Sequence, residues 1–597
     1  MKNVSNALVI SIAAFSSICL IQESGFLFDV GIAGIFSLII MAAFSPWLGL
    51  LAIFPMVLAI PPAPTSIGLP ELSFIALLGV VSIGALLQIF RSDSRSHKLK
   101  ICSIALLSGF VLLSINLFIA INNNILLVDW IRGVVPFIFI YMFLPIGVLV
   151  NNDENKIKWI GASVGTLVLM LAGYIIFYYF YFDVWKPYWV ISTSDGIVKI
   201  SESTALGNLN AVGPMRDRIT MLVAQATDAL LPVGLVAGVI LATLSRRKIV
   251  IGIGLTMAIL CLLAILITFT RSMLLSPLLA LFLFTLLVIY RKANRLKLSA
   301  IFVTLAISSL SFIFATGMQD IWIGRISQLA AIQSVEIQQD PAEAPVTSSS
   351  DDSSAVTLTA EAAPTTAPAI ITTETVTKNT SEIHHSAPTK KVEAKKAVTT
   401  TLPTKPAEKI QATPEDSSKQ ENQPPEPKAD TDTDKPTSNE VKDFNVSSRV
   451  EEYKIAWDMF LSHPVLGNGL GVKHKMDWQT TDGVFLTKQV GYIHNWVFYI
   501  LMVGGVAGFV VYSSVLLSPV FYKLASVKSE PIHWTLIRAC ILTMALYATF
   551  FAVFRLITFN LLIAVAWGIA FSHILAARQK VRSPIGEETS HSPLPQS

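Results

Sequence analysis

Three side chains of this 597-residue chain carry the groups needed for chemistry on a phosphorylated substrate: Arg271, Arg449 and His494. A guanidinium fork binds phosphate oxygens two at a time and keeps its charge at any working pH. Two such forks could hold a pyrophosphate and stabilise it as a leaving group. An imidazole, with an ordinary pKa of about 6.5, can take the proton of an attacking hydroxyl. With arginines supplying the positive charge, the reaction needs no metal and no cofactor. Arg271 is flanked by Thr270 and Ser272 in Thr268-Phe269-Thr270-Arg271-Ser272, and His494 is followed by Asn495 in Gly491-Tyr492-Ile493-His494-Asn495.

Other charged residues compete for these roles. Arg132 and Arg555 read as helix-end arginines whose heads reach lipid headgroups. Arg216 and Arg218 stand between that reading and a phosphate contact. A lone interfacial histidine is more often a packing residue, and that reading of His494 stays open on the residues alone. His463 and His474 are weaker rivals, and His384 and His385 fall in a low-complexity stretch. A P-loop, a G-x-S-x-G elbow and an H-E-x-x-H pair are absent from the sequence, which withdraws support from ATP-driven transport, serine hydrolysis and zinc chemistry. No Cys/His spacing suggests a zinc site, and the four cysteines lie in or at the ends of apolar runs.

The elements that must position these groups are membrane helices. The chain is 53% hydrophobic and 14% charged, against about 45–50% and about a quarter in soluble chains. A net charge of +4 without a basic cluster gives no support for nucleic-acid binding. Runs long enough for a bilayer crossing of about 20 residues recur at 5–21, 25–42, 45–60, 72–90, 100–120, 130–150, 159–182, 226–245, 249–270, 272–290, 298–316, 494–514, 534–553 and 557–576. These runs are continuous rather than alternating, so the class is all-α polytopic, with about 12–14 transmembrane helices, and not a β-barrel. The first run reads as a transmembrane helix rather than a cleaved signal. The loops 91–100, 246–248 and 291–297 carry eleven bases and one acid, Asp93, which places them in the cytoplasm. Both termini then lie inside, and segments 183–225 and 317–493 lie outside. Arg271, Arg449 and His494 all reach the outer interface.

The expected organisation is a membrane domain over 1–330, an insert over 331–447, an ordered outer loop over 448–493, a second membrane domain over 494–577 and a cytoplasmic tail over 578–597. Residues 341–440 contain twelve prolines, no Phe, Trp or Tyr, and ten lysines against sixteen acids. Such a segment buries too little apolar surface to offset its ordering entropy and is expected to be disordered. Order is expected to resume at Ser448-Arg449-Val450-Glu451, which has the S-x-x-E form of a capping box. Tyr453, Ala456, Trp457 and Phe460 then recur at helical spacing. They predict an amphipathic helix over 449–461, stopped by His463-Pro464, with Gly467, Gly469 and Gly471 allowing a tight loop.

At these residues the chain resembles the O-antigen ligase and O-antigen polymerase superfamily of bacterial membrane glycosyltransferases. Thr268-Phe269-Thr270-Arg271-Ser272 is similar to a T-x-S-R signature, with Thr270 in the serine place. The stretch from Arg449 through Trp457 to His463-Pro464 and Gly467-Asn468-Gly469-Leu470-Gly471 is similar to R…W…hP..G.G.G. His494-Asn495, nine residues, then Gly505-Val506-Ala507-Gly508 matches H-[NSQ]-x9-G-x-x-[GTY]. The likeness covers roughly residues 200–576. It implies a metal-independent, inverting glycosyltransferase of GT-C type, in the bacterial inner membrane with a periplasmic site. The implied donor is a glycan on undecaprenyl pyrophosphate, and the implied acceptor is lipid A–core or another glycan or protein. By the same resemblance Arg271 and Arg449 would bind the pyrophosphate, Arg218 would be a further lipid-phosphate contact, His494 would be the general base, and Asn495 would orient it. A ligase leads this reading. A polysaccharide polymerase and a protein O-oligosaccharyltransferase share its donor site, and a polysaccharide transporter is the alternative from another class. The spans at 534–576 hold no Asp or Glu, where some ligases carry an acid.

Overall fold

The computed structural model describes residues 2–21, 25–60, 68–92, 95–181, 190–192, 198–200, 229–268, 270–290, 294–320, 322–323, 440–479, 485–522 and 531–582. The expected disordered segment 341–440, apart from Glu440, and Arg216 and Arg218 lie outside them. The N-terminal helices are α1 (Lys2–Leu20), α2 (Phe26–Phe44), α3 (Pro46–Met56), α4 (Leu69–Phe90), α5 (Arg95–Asn122), α6 (Leu127–Ile138), α7 (Phe143–Val150) and α8 (Glu154–Phe180). A short hairpin, β1 (Val190–Ser192) and β2 (Val198–Ile200), follows. Next come α9 (Leu230–Leu244), α10 (Lys248–Ile267), α11 (Arg271–Tyr290) and α12 (Arg295–Thr316). The C-terminal part holds α13 (Glu440–Ser462), the antiparallel hairpin β3 (His474–Gln479) and β4 (Phe485–Val490), then α14 (Trp496–Phe521), α15 (Ile532–Tyr547) and α16 (Ile557–Arg582).

The chain is an all-α polytopic membrane protein. Among the described residues, eleven helical stretches are long and apolar enough to cross a membrane. Three expected spans are shorter, at Pro46–Ala59, Leu230–Leu244 and Ile532–Tyr547. The last shows why. α15 stops at Tyr547, and the Ala548 carbonyl accepts the Trp496 N–H at 3.1 Å. The chain then runs through a 3-10 turn, Ala552–Arg555, before α16 begins. Asn560 Nδ2 donates to the Phe554 and Leu556 carbonyls at 2.9 and 3.0 Å. Irregular backbone at membrane depth survives only where its polar groups find such partners.

α14 is broken too. Gly505 has φ 59° and ψ −162°, a non-helical conformation inside the helix. The glycine loop after α13 fills the break. Val506 N–H donates to Pro464 O at 2.8 Å and Ala507 N–H to Val465 O at 3.1 Å. In return Asn468 N–H and Gly469 N–H donate to Met502 O and Val503 O, both at 2.9 Å. Asn468 Nδ2 also donates to Met459 O and Met502 O. A Cβ on Gly467 would lie 2.5 Å from the Gly505 nitrogen, and one on Gly505 would lie 2.5 Å from the Val465 carbonyl. The loop's other side is pinned to α5 and α6: Asn123 Nδ2 donates to Asn468 O, Leu470 N–H donates to Asn116 Oδ1, and Lys473 pairs with Asp129 at 2.7 Å.

The two motif glycines of α14 therefore differ. Gly505→Ala places a side chain in a region of φ/ψ space that is essentially glycine's own, at a cost of about 1–3 kcal/mol, against a backbone that has nowhere to move. Gly508 has ordinary helical geometry, and a Cβ there would meet only Ile500 O at 4.0 Å. Thermal unfolding of the purified protein in detergent should show a clear loss of stability for Gly505→Ala. The same measurement should show no loss for Gly508→Ala, which gains helix propensity.

The amphipathic helix begins earlier than expected. α13 starts at Glu440, so Ser448 lies inside it and the capping box does not form its start. No Gly or Pro stands in Glu440–Val446, so nothing upstream of Ser448 breaks the helix. The aromatic stripe packs on α14: Tyr453 stacks on Phe498 at 5.0 Å, and Trp457 meets the same ring edge-on at 6.5 Å. Ala456 and Phe460 are buried beside them. The β3–β4 hairpin was not foreseen, although Asp482-Gly483 between β-prone runs is a hairpin signal. It carries the chain from the glycine loop to His494.

Candidate functional site

The site is built where α13 lies against the start of α14. Glu452 shares the buried face of α13 with Ala456 and Phe460, by the i, i+4 and i+8 rule of a helix. Its side chain is fully buried. A carboxylate there needs donors, and it has three. Oε1 accepts the His494 backbone N–H at 3.2 Å. The His494 ring donates from Nδ1, 2.9 Å from Oε1 and 3.1 Å from Oε2. Arg449 Nη1 donates to Oε2 at 3.1 Å, one turn back along α13.

An ionised carboxylate only accepts, so the shared proton sits on Nδ1 and the other ring nitrogen, Nε2, is a free acceptor. The imidazole is 14% exposed and the Arg449 side chain 39%. Both ends of the arrangement are thus within reach of a substrate, while the carboxylate joining them is sealed off. The Asn495 side chain bonds the start of α14. Its Oδ1 caps α14, accepting from the Val497 and Phe498 N–H groups. That cap fixes where α14 starts and so where the strand-to-helix connection carrying His494 joins it.

Residues 398–513 match a family model described as O-antigen ligase. The matched stretch contains Arg449, Glu452, His494 and Gly505. That stretch is similar to the O-antigen ligase family. No curated protein and no solved structure matches the chain. The O-antigen ligase match excludes Arg271, which lies well upstream.

The electrostatics around His494 set the two side chains in different charge states. Burial pushes the His494 imidazole below its ordinary value. The hydrogen bond to Glu452 opposes that shift and the charges of Arg449 and Arg555 add to it, so the ring stays neutral near pH 7. For Glu452, burial acts upward, but the hydrogen bonds from His494 and Arg449 and the charge of Arg449 outweigh it and hold the carboxyl below its usual range. An ionised carboxylate beside a neutral imidazole is the combination a general base requires.

Arg271 opens α11, which packs against α9 and α15, and it is partly buried. Its charge is not among those acting on His494. The Thr270 hydroxyl donates to the Thr268 carbonyl at 3.0 Å, and Ser272 is partly buried in the first turn of α11. His463 is exposed, with Nδ1 3.0 Å from Ser462 Oγ. His474 is buried at the start of β3 with neither ring nitrogen hydrogen-bonded. Burial lowers its pKa, and the charge of Glu452 opposes that shift.

Sequence reasoning missed Glu452. It assigned a role to the neighbouring Glu451 as a cap and gave Glu452 none. The signal was present: an acid in register with Ala456 and Phe460 is a charge on an apolar face.

Proposed function

We propose that this protein is a ligase-type glycosyltransferase that moves a polysaccharide from undecaprenyl pyrophosphate to an acceptor hydroxyl, on lipid A–core or a similar glycan. The carrying observation is the buried Glu452 that holds His494 with Nε2 free and ties Arg449 to the same point, all within the O-antigen ligase match. The acceptor oxygen attacks the anomeric carbon, and its proton passes to His494 Nε2. The bond from that carbon to the pyrophosphate oxygen breaks, and the lipid pyrophosphate leaves with the electron pair. The displacement inverts the centre and uses no metal. Arg449 and Arg271 bind the pyrophosphate, with Arg218 as a further lipid-phosphate contact, and Thr270 and Ser272 support Arg271.

We place the protein in the bacterial inner membrane, termini in the cytoplasm and site in the periplasm. The basic loops support this reading. Lys297 Nζ donates to Ser245 O at 2.7 Å, which brings the 291–297 loop to the same end of the protein as the 246–248 turn. The polymerase and protein-glycosylation readings share this donor chemistry and differ in acceptor.

The test is genetic. The gene is deleted, the surface polysaccharide is profiled, and the strain is complemented with the wild type. A ligase leaves long chains on the lipid carrier and none on the acceptor until complemented. Single repeat units on the acceptor in the deletion strain would instead mean a polymerase, and an unchanged profile would remove the glycan-transfer reading.

A further inference from the structure

Arg555 was read from the sequence as a helix-end arginine reaching headgroups, and its surroundings do not fit that. It closes the 3-10 turn between α15 and α16, in the irregular backbone beside the start of α14. Its guanidinium lies 5.5 Å from the centre of the Tyr492 ring. Tyr492 in turn meets the His494 ring edge-on, 5.1 Å between centres. On the other side Phe554, its neighbour in the turn, packs against Tyr499 of α14 at 5.0 Å. Arg555 is therefore separated from the proposed base by a single tyrosine ring.

Its polar groups are incompletely used. Nε is buried with no hydrogen-bond partner, and the Tyr499 hydroxyl, on which the Arg555 charge acts, is likewise buried without one. Among the described residues no carboxylate pairs with Arg555, whereas Arg449 has Glu452 and Lys473 has Asp129. A partly buried guanidinium in a membrane protein, unpaired by any acid, is costly, and such residues mark functional sites. Its charge also reaches His494 itself.

Building on the proposed transfer reaction, we propose that Arg555 binds an oxyanion of a substrate, a phosphate or carboxylate, seated beside His494. Such a group supplies the missing acceptor for a planar donor fork. It comes from one of two sources: the pyrophosphate of the donor, or an acidic sugar or phosphate on the acceptor.

The experiment uses the full chain in nanodiscs, with lipid-linked donor and acceptor glycans in charged and neutral forms. Arg555→Gln and Arg555→Lys are compared with the wild type. The proposal expects Arg555→Gln to raise KM at least tenfold for one substrate, with Arg555→Lys recovering part of the loss. A rise confined to the donor, with weakened competition by inorganic pyrophosphate, assigns the donor phosphate. A rise confined to the charged acceptor, absent with the neutral one, assigns the acceptor. Unchanged KM values for both substrates in Arg555→Gln overturn the proposal, as does a fall in kcat alone. Absence of transfer by the wild type would instead remove the underlying reaction, and the two failures are distinguishable.

Discussion

His494→Ala should abolish polysaccharide transfer while leaving a folded protein. General-base removal costs about 10²–10⁴ in rate, and in a cell that loss should be indistinguishable from the gene deletion. The fold should survive because Glu452 keeps two donors without the ring, the residue-494 backbone N–H and Arg449. Its carboxylate is then not left as an unpaired buried charge. The check is complementation of the deletion strain, read as surface polysaccharide, beside a thermal-unfolding curve of the purified variant. A variant that folds and still transfers at the wild-type rate would remove His494 from the chemistry and leave it as a packing residue.

Glu452→Gln should cost nearly as much, for a different reason. Each carboxylate oxygen now accepts from two groups. Glutamine replaces one acceptor by an NH₂, which must face either Arg449 or the residue-494 N–H, donor against donor. Turning the amide nitrogen toward the ring would also favour the tautomer with the proton on Nε2, the wrong one for a base. Loss of the orienting carboxylate in a base–carboxylate pair lowers turnover by up to about 10⁴, and a reduction between about 10² and 10⁴ is expected here. Glu452→Ala is the poorer test. Emptying a buried ion-pair position is strongly destabilising, by about 3–5 kcal/mol, and mixes unfolding with lost chemistry. Single-turnover rates of Glu452→Gln in nanodiscs, with binding of the lipid-linked donor measured separately, should show slow transfer with donor affinity retained.

The membrane frame was legible because the bilayer imposes a length and a composition that a sequence displays directly. Thirteen of the fourteen apolar runs each correspond to one apolar helix and the run 130–150 to two, α6 and α7, and three of the helices are shorter than expected. Hydropathy records whether a segment is apolar, not whether its hydrogen-bond ladder is continuous. The breaks after Tyr547 and at Gly505 depend on partners distant in sequence: Trp496 for one, the Pro464–Gly469 loop for the other. The same distance explains the site. Arg449 and His494 stood out by type, but the carboxylate that joins them became visible only when α13 was laid on α14. Its helical register with Ala456 was readable, and its proximity to a histidine 42 residues away was not. Arg555 was dismissed on a rule for helix ends, and the turn that places it beside Tyr492 is a tertiary feature. Gly505 belongs to the motif that carried the resemblance, and its geometry gives that motif a physical reason, since a glycine there lets a loop replace a stretch of helix backbone.

The central claim is that a neutral His494, oriented by an ionised Glu452, takes the acceptor proton. The most direct measurement is the pH dependence of kcat/KM for the wild type and Glu452→Gln, with purified protein in nanodiscs. The groups facing the ring are Glu452 and Arg449 from α13, His474 from β3, and Tyr492 and Arg555 beside it. Activity should fall on the acid side as His494 protonates, with the wild-type limb below the ordinary histidine value because burial, Arg449 and Arg555 all favour the neutral ring. Glu452 opposes them by stabilising the protonated ring, so its replacement should move the limb to still lower pH while lowering the plateau. A limb that stays in place, or a variant with the wild-type plateau, would contradict the account.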